Sequence, residues 1–295
     1  MHATIRDAIA MAERAPIVFA ETSEPLVSVV MPVYNNWRLT RRALASLATS
    51  HDAGVLEVIV VDDASTDETR FAEAAIPGLR VIRMTKNSGF THAANRGAQA
   101  ARGRHTLFLN NDTLVLAGAI RALIAAMGDA SIGAAGALLL YPSGWVQEAG
   151  ALVRPDGTCN KVGWGCNPAE STFGSRRDRD YCSAAALLVR TSLLATIGWF
   201  DVRFAPGYYE DVDLCFSVRA RGLRVVVEPA ASVVHWEGMT HGTEWRRGIH
   251  RQHTKSLQAR NRLRFVAKWS TQLADREVVG IAHTEQGYGS ALRPA

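Results

Sequence analysis

Short apolar runs alternate with segments of helical periodicity along the first third of the chain. The apolar runs are typical of buried strands, and they occupy positions 26–31, 56–61, 79–83 and 105–109. Between them, apolar residues recur on one helical face at 37–49, 65–75 and 91–101, and Ser65 with Glu68 has the spacing of a capping box. This alternation predicts βαβ units, and therefore an α/β fold with a mostly parallel central sheet flanked by helices.

The pattern changes in the second half of the chain. Glycine and turn residues are frequent from 133 to 174, which predicts shorter and less regular strands, and 176–180 is expected to be a charged loop. Apolar runs predict strands at 181–189, 224–228 and 232–236, and a short helix at 192–197. A further helix opens within 204–214 and ends at Gly222, and a basic helix covers 253–269.

Composition narrows the class of protein. Of the 295 residues, 47% are hydrophobic and 21% charged, as in a folded globular enzyme. The net charge of +5 is mild, and no long tract of Lys and Arg is present, so a nucleic-acid partner is not expected. The four cysteines form no C-x-x-C pair, and no apolar stretch reaches membrane-spanning length. We therefore expect a cytoplasmic protein with reduced thiols.

Polar residues follow each of the predicted parallel strands, at the point where the strand ends. Ligands of open parallel sheets bind at that edge. The residues there are Tyr34 and Asn35, Asp62 and Asp63, Lys86 and Asn87, and Asn110, Asn111 and Asp112. No glycine-rich phosphate loop follows the first strand. If a diphosphate binds at this edge, a divalent cation is the usual substitute for such a loop.

Two groups of carboxylates are candidates for chemistry, and each also has a structural explanation. Asp112 follows a buried strand and could bind Mg²⁺ or Mn²⁺, or it could form an Asx turn or cap a helix. Glu210, Asp211 and Asp213 open a helix, where negative charge is favoured by the helix dipole alone. Asp211 and Asp213 point in different directions on a helix, so we expect them to have different roles.

His235 ends an apolar strand and precedes Trp236. A lone histidine is usually a structural residue, but this position leaves a role as metal ligand open.

These motifs, in this order, resemble glycosyltransferase family 2 with the GT-A fold. The resemblance covers about 26–265, between a helical leader (1–25) and a tail (266–295). The matching segments are 27–35 (VSVVMPVYN), 57–67 (EVIVVDDASTD), 86–90 (KNSGF), 95–97 (NRG), 109–113 (LNNDT), 209–215 (YEDVDLC) and 234–238 (VHWEG). The segment 144–150 (GWVQEAG) resembles the branch with rhamnosyl- and galactofuranosyl-type transferases. Each motif alone is weak, but their order is specific.

The resemblance implies a role for each matching residue. Pro32, Tyr34, Asn35 and one or both of Asp62 and Asp63 would line a nucleoside pocket, and Asn87, Asn110 and Asn111 would complete the donor site. Asp112 and His235 would bind Mn²⁺ or Mg²⁺, Asp211 would be the general base, and Glu210 would lie beside it. Asn110 stands where many relatives have an aspartate, which implies a weaker intrinsic affinity for the metal.

The resemblance also implies the reaction. A UDP- or dTDP-sugar would donate its sugar to a hydroxyl of a saccharide or lipid-linked glycan, with inversion at the anomeric carbon. A nucleotidyltransferase is disfavoured, because the expected glycine- and arginine-rich loop is missing. A non-catalytic sugar-nucleotide-binding or scaffold subunit remains the alternative.

The basic helix at 253–269 leaves two interpretations open. Arg260, Arg262, Arg264 and Lys268 could dock on an anionic membrane, which would place the protein peripherally at its inner face. Alternatively, the charges form a solvated face over a core of Leu257, Leu263 and Phe265, and this second interpretation is slightly favoured.

Overall fold

The computed structural model of the chain describes residues 2–50, 56–236 and 248–274. Its strands are β1 (Val27–Val33), β2 (Leu56–Asp62), β3 (Arg80–Arg83), β4 (His105–Leu109), β5 (Thr113–Val115), β6 (Ile132–Leu140), β7 (Val146–Glu148), β8 (Ala151–Val153), β9 (Cys159–Lys161), β10 (Arg177–Asp178), β11 (Ala186–Arg190) and β12 (Arg224–His235). Its α-helices are α1 (His2–Arg14), α2 (Trp37–Ala48), α3 (Ala72–Ala75), α4 (Phe90–Ala100), α5 (Ala119–Ala126), α6 (Thr191–Ile197), α7 (Glu210–Arg219), α8 (Gly248–Lys268) and α9 (Ser270–Ala274).

The central sheet is mixed, with strand order β10-β12-β6-β11-β4-β1-β2-β3. The strands β3, β2, β1 and β4 are parallel neighbours, as the alternation predicts. Every residue of β1, β2 and β4 is buried, because helices cover both faces of such a sheet. In α4, a Cβ at Gly97 would lie 2.4 Å from Val30, so glycine lets this helix approach β1 closely.

The second half of the sheet brings three more strand ends to the edge where β4 ends. β11 runs antiparallel to β4, with Ala186 opposite Leu109, so the start of β11 lies at that edge. β6 and β12 are parallel to each other, with Val234 opposite Leu140. β5 and β7 attach beyond the main order, to β12 and β6 respectively. His235 and the residues after β4 therefore lie at one edge of the sheet.

Five local predictions are wrong. The strand predicted at 181–189 begins only at Ala186, as β11. The segment 65–75 is a short 3₁₀ turn followed by α3, and its cap is Asp67, because the Ser65 hydroxyl accepts the Asn35 N–H instead. Arg177–Asp178 pairs with β12 within the predicted loop 176–180. The two strands predicted at 224–228 and 232–236 are one strand, β12, with a register shift after Glu228. The glycine-rich region begins with β6, a wholly buried nine-residue strand.

Both ends of the described chain pack on this body. Ile5 and Ala12 of α1 are buried, and Arg41 of α2 donates to the Glu13 carbonyl. At the other end, Phe265 is buried in the same core, and so is Leu273, which lies beyond the point where the tail is expected to begin. The boundaries at 25 and 265 stay predictions, and residues 275–295 lie outside the described residues.

None of the helices in the described ranges is both long enough and apolar enough to cross a bilayer.

Candidate active site

The loop after β1 is tied to the loop after β2 through Asn35. Its side-chain oxygen accepts the backbone N–H of Thr66 at 2.8 Å, and its own N–H donates to Ser65 Oγ. Asn35 adopts a left-handed conformation (φ 55°), which asparagine tolerates better than most residues. Tyr34 is 40% exposed beside it, while Pro32 is buried within β1. Of these residues, Tyr34 thus has a side chain that can meet a ligand without rearrangement.

The two aspartates that end β2 have different partners. Asp62 is fully buried, where it accepts the Ser65 N–H at 2.7 Å and pairs with Arg83 at 3.0 Å. Asp63 accepts the backbone N–H groups of Ser88 and Gly89, each at 2.8 Å. Burial raises the pKa of Asp63, although these two donors oppose the shift. Asp63 therefore fixes the loop on which Asn87 is exposed.

The segment Asn110–Asp112 crosses the edge of the sheet between β4 and β5. The Asn110 amide lies 3.4 Å from His235 Nε2, and the Asn110 N–H donates to the Ala185 carbonyl. Asn111 is fully buried and donates to Thr40 of α2, so in this arrangement its side chain supports the helix.

The imidazole of His235 is oriented by Gln147 of β7. Nδ1 lies 2.7 Å from Gln147 Oε1, and Gln147 Nε2 donates to the His235 carbonyl at 3.4 Å. Because the amide oxygen can only accept, the proton of the neutral ring is on Nδ1, and Nε2 presents its lone pair. Nε2 lies 3.2 Å from Asp112 Oδ1.

This pair fits a divalent cation. Two ligands on adjacent positions of an octahedral Mg²⁺ site, each about 2.1 Å from the ion, lie about 3.0 Å apart. The separation of His235 Nε2 from Asp112 Oδ1 is close to that value, and the histidine lone pair faces a carboxylate. In the described residues, no group of three or more His, Cys, Asp and Glu side chains forms a metal cluster. Two protein ligands leave room for water and phosphate oxygens, as is usual for Mg²⁺.

Arg42 of α2 stacks on Trp236, the residue that follows His235. Its guanidinium carbon lies 3.5 Å from the ring centre of Trp236, and the Trp236 N–H donates to the Asp112 carbonyl at 2.9 Å. Burial lowers the pKa of Arg42, while the charge of Asp112 opposes that shift. The stack holds the side chain of Trp236, whose backbone follows His235 and binds the Asp112 carbonyl.

Glu210 and Asp211 begin α7 at the same edge. Asp211 accepts the Ala184 N–H at 3.2 Å. The next residue, Ala185, accepts the Asn110 N–H at its carbonyl. Burial raises the pKa of Asp211, and the ammonium of Lys161 opposes the shift. Glu210 is 6% exposed, and its Oε2 has no hydrogen-bond partner among the described residues. Burial, and then the charge of Asp211, raise the pKa of Glu210 well above its usual range.

Asp213 points away from this pair, as the helical spacing predicts. It accepts from Lys268 of α8 and from the indole N–H of Trp269 at 2.7 Å. Its role in the structure is to join α7 to the C-terminal helices.

Sequence reasoning assigned no role to Gln147, Glu148 or Lys161. Glu148 is 3% exposed and accepts the Ser183 N–H at 3.0 Å, and Lys161 lies 3.9 Å from its other oxygen. Gln147 and Glu148 therefore place one side chain at His235 and one near Asp211. The segment 144–150 carries the available signal, but its resemblance to a family branch implies no roles for its individual residues.

Two basic residues of α8 form ion pairs with other parts of the chain. Arg262 pairs with Asp156, and Lys268 pairs with Asp201 and Asp213. Leu257 and Phe265 are buried as expected, but Leu263 is 66% exposed, so its assignment to the core of this helix is wrong.

Comparison with known proteins identifies the family of the chain. The family model described as glycosyl transferase family 2 matches residues 28–181. The chain is 31% identical over 223 residues to the O-antigen biosynthesis protein of Myxococcus xanthus, a match that covers 72% of this chain and 17% of that protein. It is 30% identical over 244 residues to an N-acetylglucosaminyl-diphospho-decaprenol L-rhamnosyltransferase of Mycobacterium tuberculosis, covering 74% of this chain and 78% of that enzyme.

A solved structure shows the same fold. The chain of GalNAc-T7, crystallised with UDP, GalNAc and Mn²⁺, superposes with a TM-score of 0.65 at 15% identity, over 87% of this chain and 50% of that one. Three of the curated relatives are much longer than this chain, which spans 25%, 17% and 45% of their lengths. The family match and the rhamnosyltransferase match together establish that the chain belongs to glycosyltransferase family 2 and has a GT-A-like α/β fold.

Proposed function

We propose that this glycosyltransferase transfers a sugar from a UDP- or dTDP-sugar to a hydroxyl of a saccharide or lipid-linked glycan. The transfer inverts the anomeric centre, depends on Mn²⁺ or Mg²⁺, and serves the synthesis of a cell-surface polysaccharide. The names of the two curated relatives support that setting, since one makes O-antigen and the other acts on a sugar diphospholipid. The UDP and Mn²⁺ in the solved neighbour support the choice of donor and metal.

The donor would lie along the edge formed by β1, β2 and β4. Tyr34, Asn35 and Asn87 would meet the nucleoside, with Asp62 or Asp63 accepting from the pyrimidine N3–H. Asn110 would lie between the ribose and the diphosphate. Both aspartates already accept backbone N–H groups, but a carboxylate oxygen has a second lone pair for a ligand.

Asp112 and His235 would hold the metal, which supplies Lewis-acid stabilisation of the diphosphate leaving group. Gln147 keeps the histidine lone pair directed at that position.

Asp211 would receive the proton. As the acceptor oxygen bonds to the anomeric carbon, the bond from that carbon to the phosphate oxygen breaks, and the nucleoside diphosphate departs with its electron pair. The hydroxyl proton passes to Asp211, whose raised pKa makes it a better base than an exposed aspartate. A base on the face opposite the leaving group gives inversion, as in inverting glycosidases. Lys161 favours the ionised, proton-accepting form.

The observation that carries this proposal is the arrangement at the sheet edge. Asp112 and His235 form a pair that fits a cation. Asp211 is linked to the same edge through two consecutive residues: it accepts the Ala184 N–H, and the Ala185 carbonyl accepts the Asn110 N–H. A thermal-shift panel of nucleotide sugars, with and without Mn²⁺, tests the donor, because a ligand of the folded state raises the melting temperature. NMR of the product made from the best donor then reports the anomeric configuration. A retained configuration contradicts the proposed mechanism.

The alternative is a non-catalytic sugar-nucleotide-binding subunit. Slow hydrolysis of the bound donor in the absence of acceptor separates the two functions, since a binding subunit leaves the donor intact. Metal-dependent binding with no hydrolysis and no transfer would favour the alternative.

A cytoplasmic location is part of the proposal. Docking of α8 on an anionic membrane is one of the two interpretations of its basic residues, and a vesicle assay decides between the two. The exposed Arg260 and Arg264 donate to backbone carbonyls and to the Asn261 side chain, and the exposed Leu263 lies between them in sequence. Co-sedimentation with vesicles containing anionic lipid, but not with neutral vesicles, would support the membrane role. No binding to either kind of vesicle excludes the membrane role.

A further inference from the structure

The loop 204–208 (Phe204 to Tyr208) leads into α7, which begins with Glu210 and Asp211. Tyr208 and Tyr209 both adopt left-handed backbone conformations, each with φ of 72°. Side chains with a Cβ rarely occupy this region, and two such residues in succession need support from their surroundings. Strained backbone of this kind clusters at functional sites.

Asn261 of α8 supplies that support. It is fully buried, and its amide nitrogen lies 2.7 Å from the Phe204 carbonyl, 3.0 Å from that of Gly207 and 2.9 Å from that of Tyr208. Its oxygen accepts from Arg260 at 3.2 Å. Because the oxygen is occupied by a cationic donor, the NH₂ group is the end that faces the loop. The Asn261 side chain therefore donates to three backbone carbonyls of the loop that leads into α7.

The opposite side of the loop packs on the predicted donor site. A Cβ added to Gly89 would lie 2.4 Å from the Pro206 side chain, and the Thr91 N–H donates to the Pro206 carbonyl at 3.2 Å. The Gly89 N–H is also one of the two donors to Asp63. The loop 204–208 is thus held between α8 and the loop that Asp63 fixes.

We infer that Asn261 is a positioning residue for transfer: it holds the loop 204–208 in the conformation that places the start of α7, and with it Asp211, opposite the donor. The inference rests on the proposed function. Asn261 is buried behind the loop, so it acts through the loop and touches neither substrate. Removal of the Asn261 amide should lower turnover and leave the candidate metal ligands Asp112 and His235 in place.

Asn261→Asp is the sharpest variant. It conserves shape and keeps an oxygen for Arg260, but it replaces the NH₂ group by an oxygen that faces three carbonyl oxygens. We expect kcat for transfer to fall about 10- to 100-fold, as misplacement of a reacting group does. The Kd for UDP with Mn²⁺, measured by calorimetry, should stay within about threefold of wild type. Asn261→Ser, which retains a single donor, is the second variant if Asn261→Asp does not fold.

Leu273→Ala is the matched control for loss of stability. Leu273 is 2% exposed on α9, and its truncation destabilises the C-terminal helices without touching the loop. All variants are assayed at a temperature well below their melting temperatures. Loss of kcat in the Asn261 variant, with near-normal kcat in Leu273→Ala, supports the inference. Equal losses in both, an unchanged kcat in the Asn261 variant, or a loss confined to donor affinity overturns it. Failure of the proposed function is distinguishable, because wild type itself would then show no transfer.

Discussion

Replacing Gln147 by leucine tests how the candidate metal ligands are oriented. Gln147 is 1% exposed, and both ends of its amide contact His235, at the ring Nδ1 and at the backbone carbonyl. Leucine removes both contacts with little change in volume. The Nδ1–H is then left buried without a partner, or the ring shifts its proton to Nε2, where the lone pair is needed.

The size of the effect follows from these two outcomes. An unpaired buried N–H costs about 1–3 kcal/mol, and every 1.4 kcal/mol is a factor of about ten in a dissociation constant. Loss of the partner that orients a metal-bound histidine typically weakens metal affinity about 10- to 100-fold. The two figures agree, so we expect the Kd for Mn²⁺ in Gln147→Leu to rise by about that factor.

Titration of Mn²⁺ followed by electron paramagnetic resonance, in the presence of saturating UDP, measures this Kd without relying on activity. Gln147→Glu is the comparison variant, because its carboxylate still accepts from Nδ1, although its second oxygen faces the His235 carbonyl. The Kd should therefore rise less in this variant than in Gln147→Leu. A Gln147→Leu protein with wild-type Mn²⁺ affinity would refute the orienting role. Equal losses in the leucine and glutamate variants would do so as well.

Two further predictions concern stability against pH. Burial raises the pKa of Glu210 well above its usual range, whereas the unfolded glutamate ionises from about pH 4.3, so the wild type loses stability as the pH rises above that value. The melting temperature of Glu210→Gln, which lacks this titration, should therefore rise relative to that of the wild type as the pH is raised from 4. A margin independent of pH would contradict this cause. Burial and two nearby arginines lower the pKa of His105 from 6.5 to about 4. As the pH falls, the histidine of the unfolded chain therefore binds a proton before that of the folded protein. The free energy of unfolding should fall by about 3 kcal/mol between pH 6.5 and pH 4. Urea unfolding at pH 7 and pH 4.5 should show a smaller loss in His105→Gln, and equal losses would be inconsistent with that shift.

The first half of the fold and most of the candidate site could be predicted from the sequence. Buried parallel strands are continuous apolar runs, and each ends in polar residues that the topology brings to one edge. β6 was harder to detect, because its first six residues are mainly glycine and alanine. A Cβ at Gly136 would lie 2.2 Å from the Cys182 side chain, so close packing selects small residues that have low strand propensity. Pro229 lies between the two strands predicted at 224–228 and 232–236, where β12 only shifts register.

The supporting side chains of the site could not be predicted. Gln147 and His235 are 88 positions apart, and Asn261 lies 54 positions from Gly207, so no local pattern connects them. Their roles depend on contacts that exist only after β7 and α8 have packed. The same holds for Ser65, which is predicted to cap a helix. In the structure its hydroxyl accepts the N–H of Asn35, at the end of the neighbouring strand, instead.

Turnover and donor binding of Asp211→Asn, measured on the same preparation, test the central claim most directly. The amide keeps the shape of the side chain and an oxygen for the Ala184 N–H, but it cannot take a proton from the acceptor. The account predicts that UDP–Mn²⁺ binding stays within about threefold of wild type, while transfer falls by at least about 10²-fold, the lower range for a general base. An Asp211→Asn enzyme that retains most of its turnover would contradict the assignment of the base, and with it the proposed mechanism.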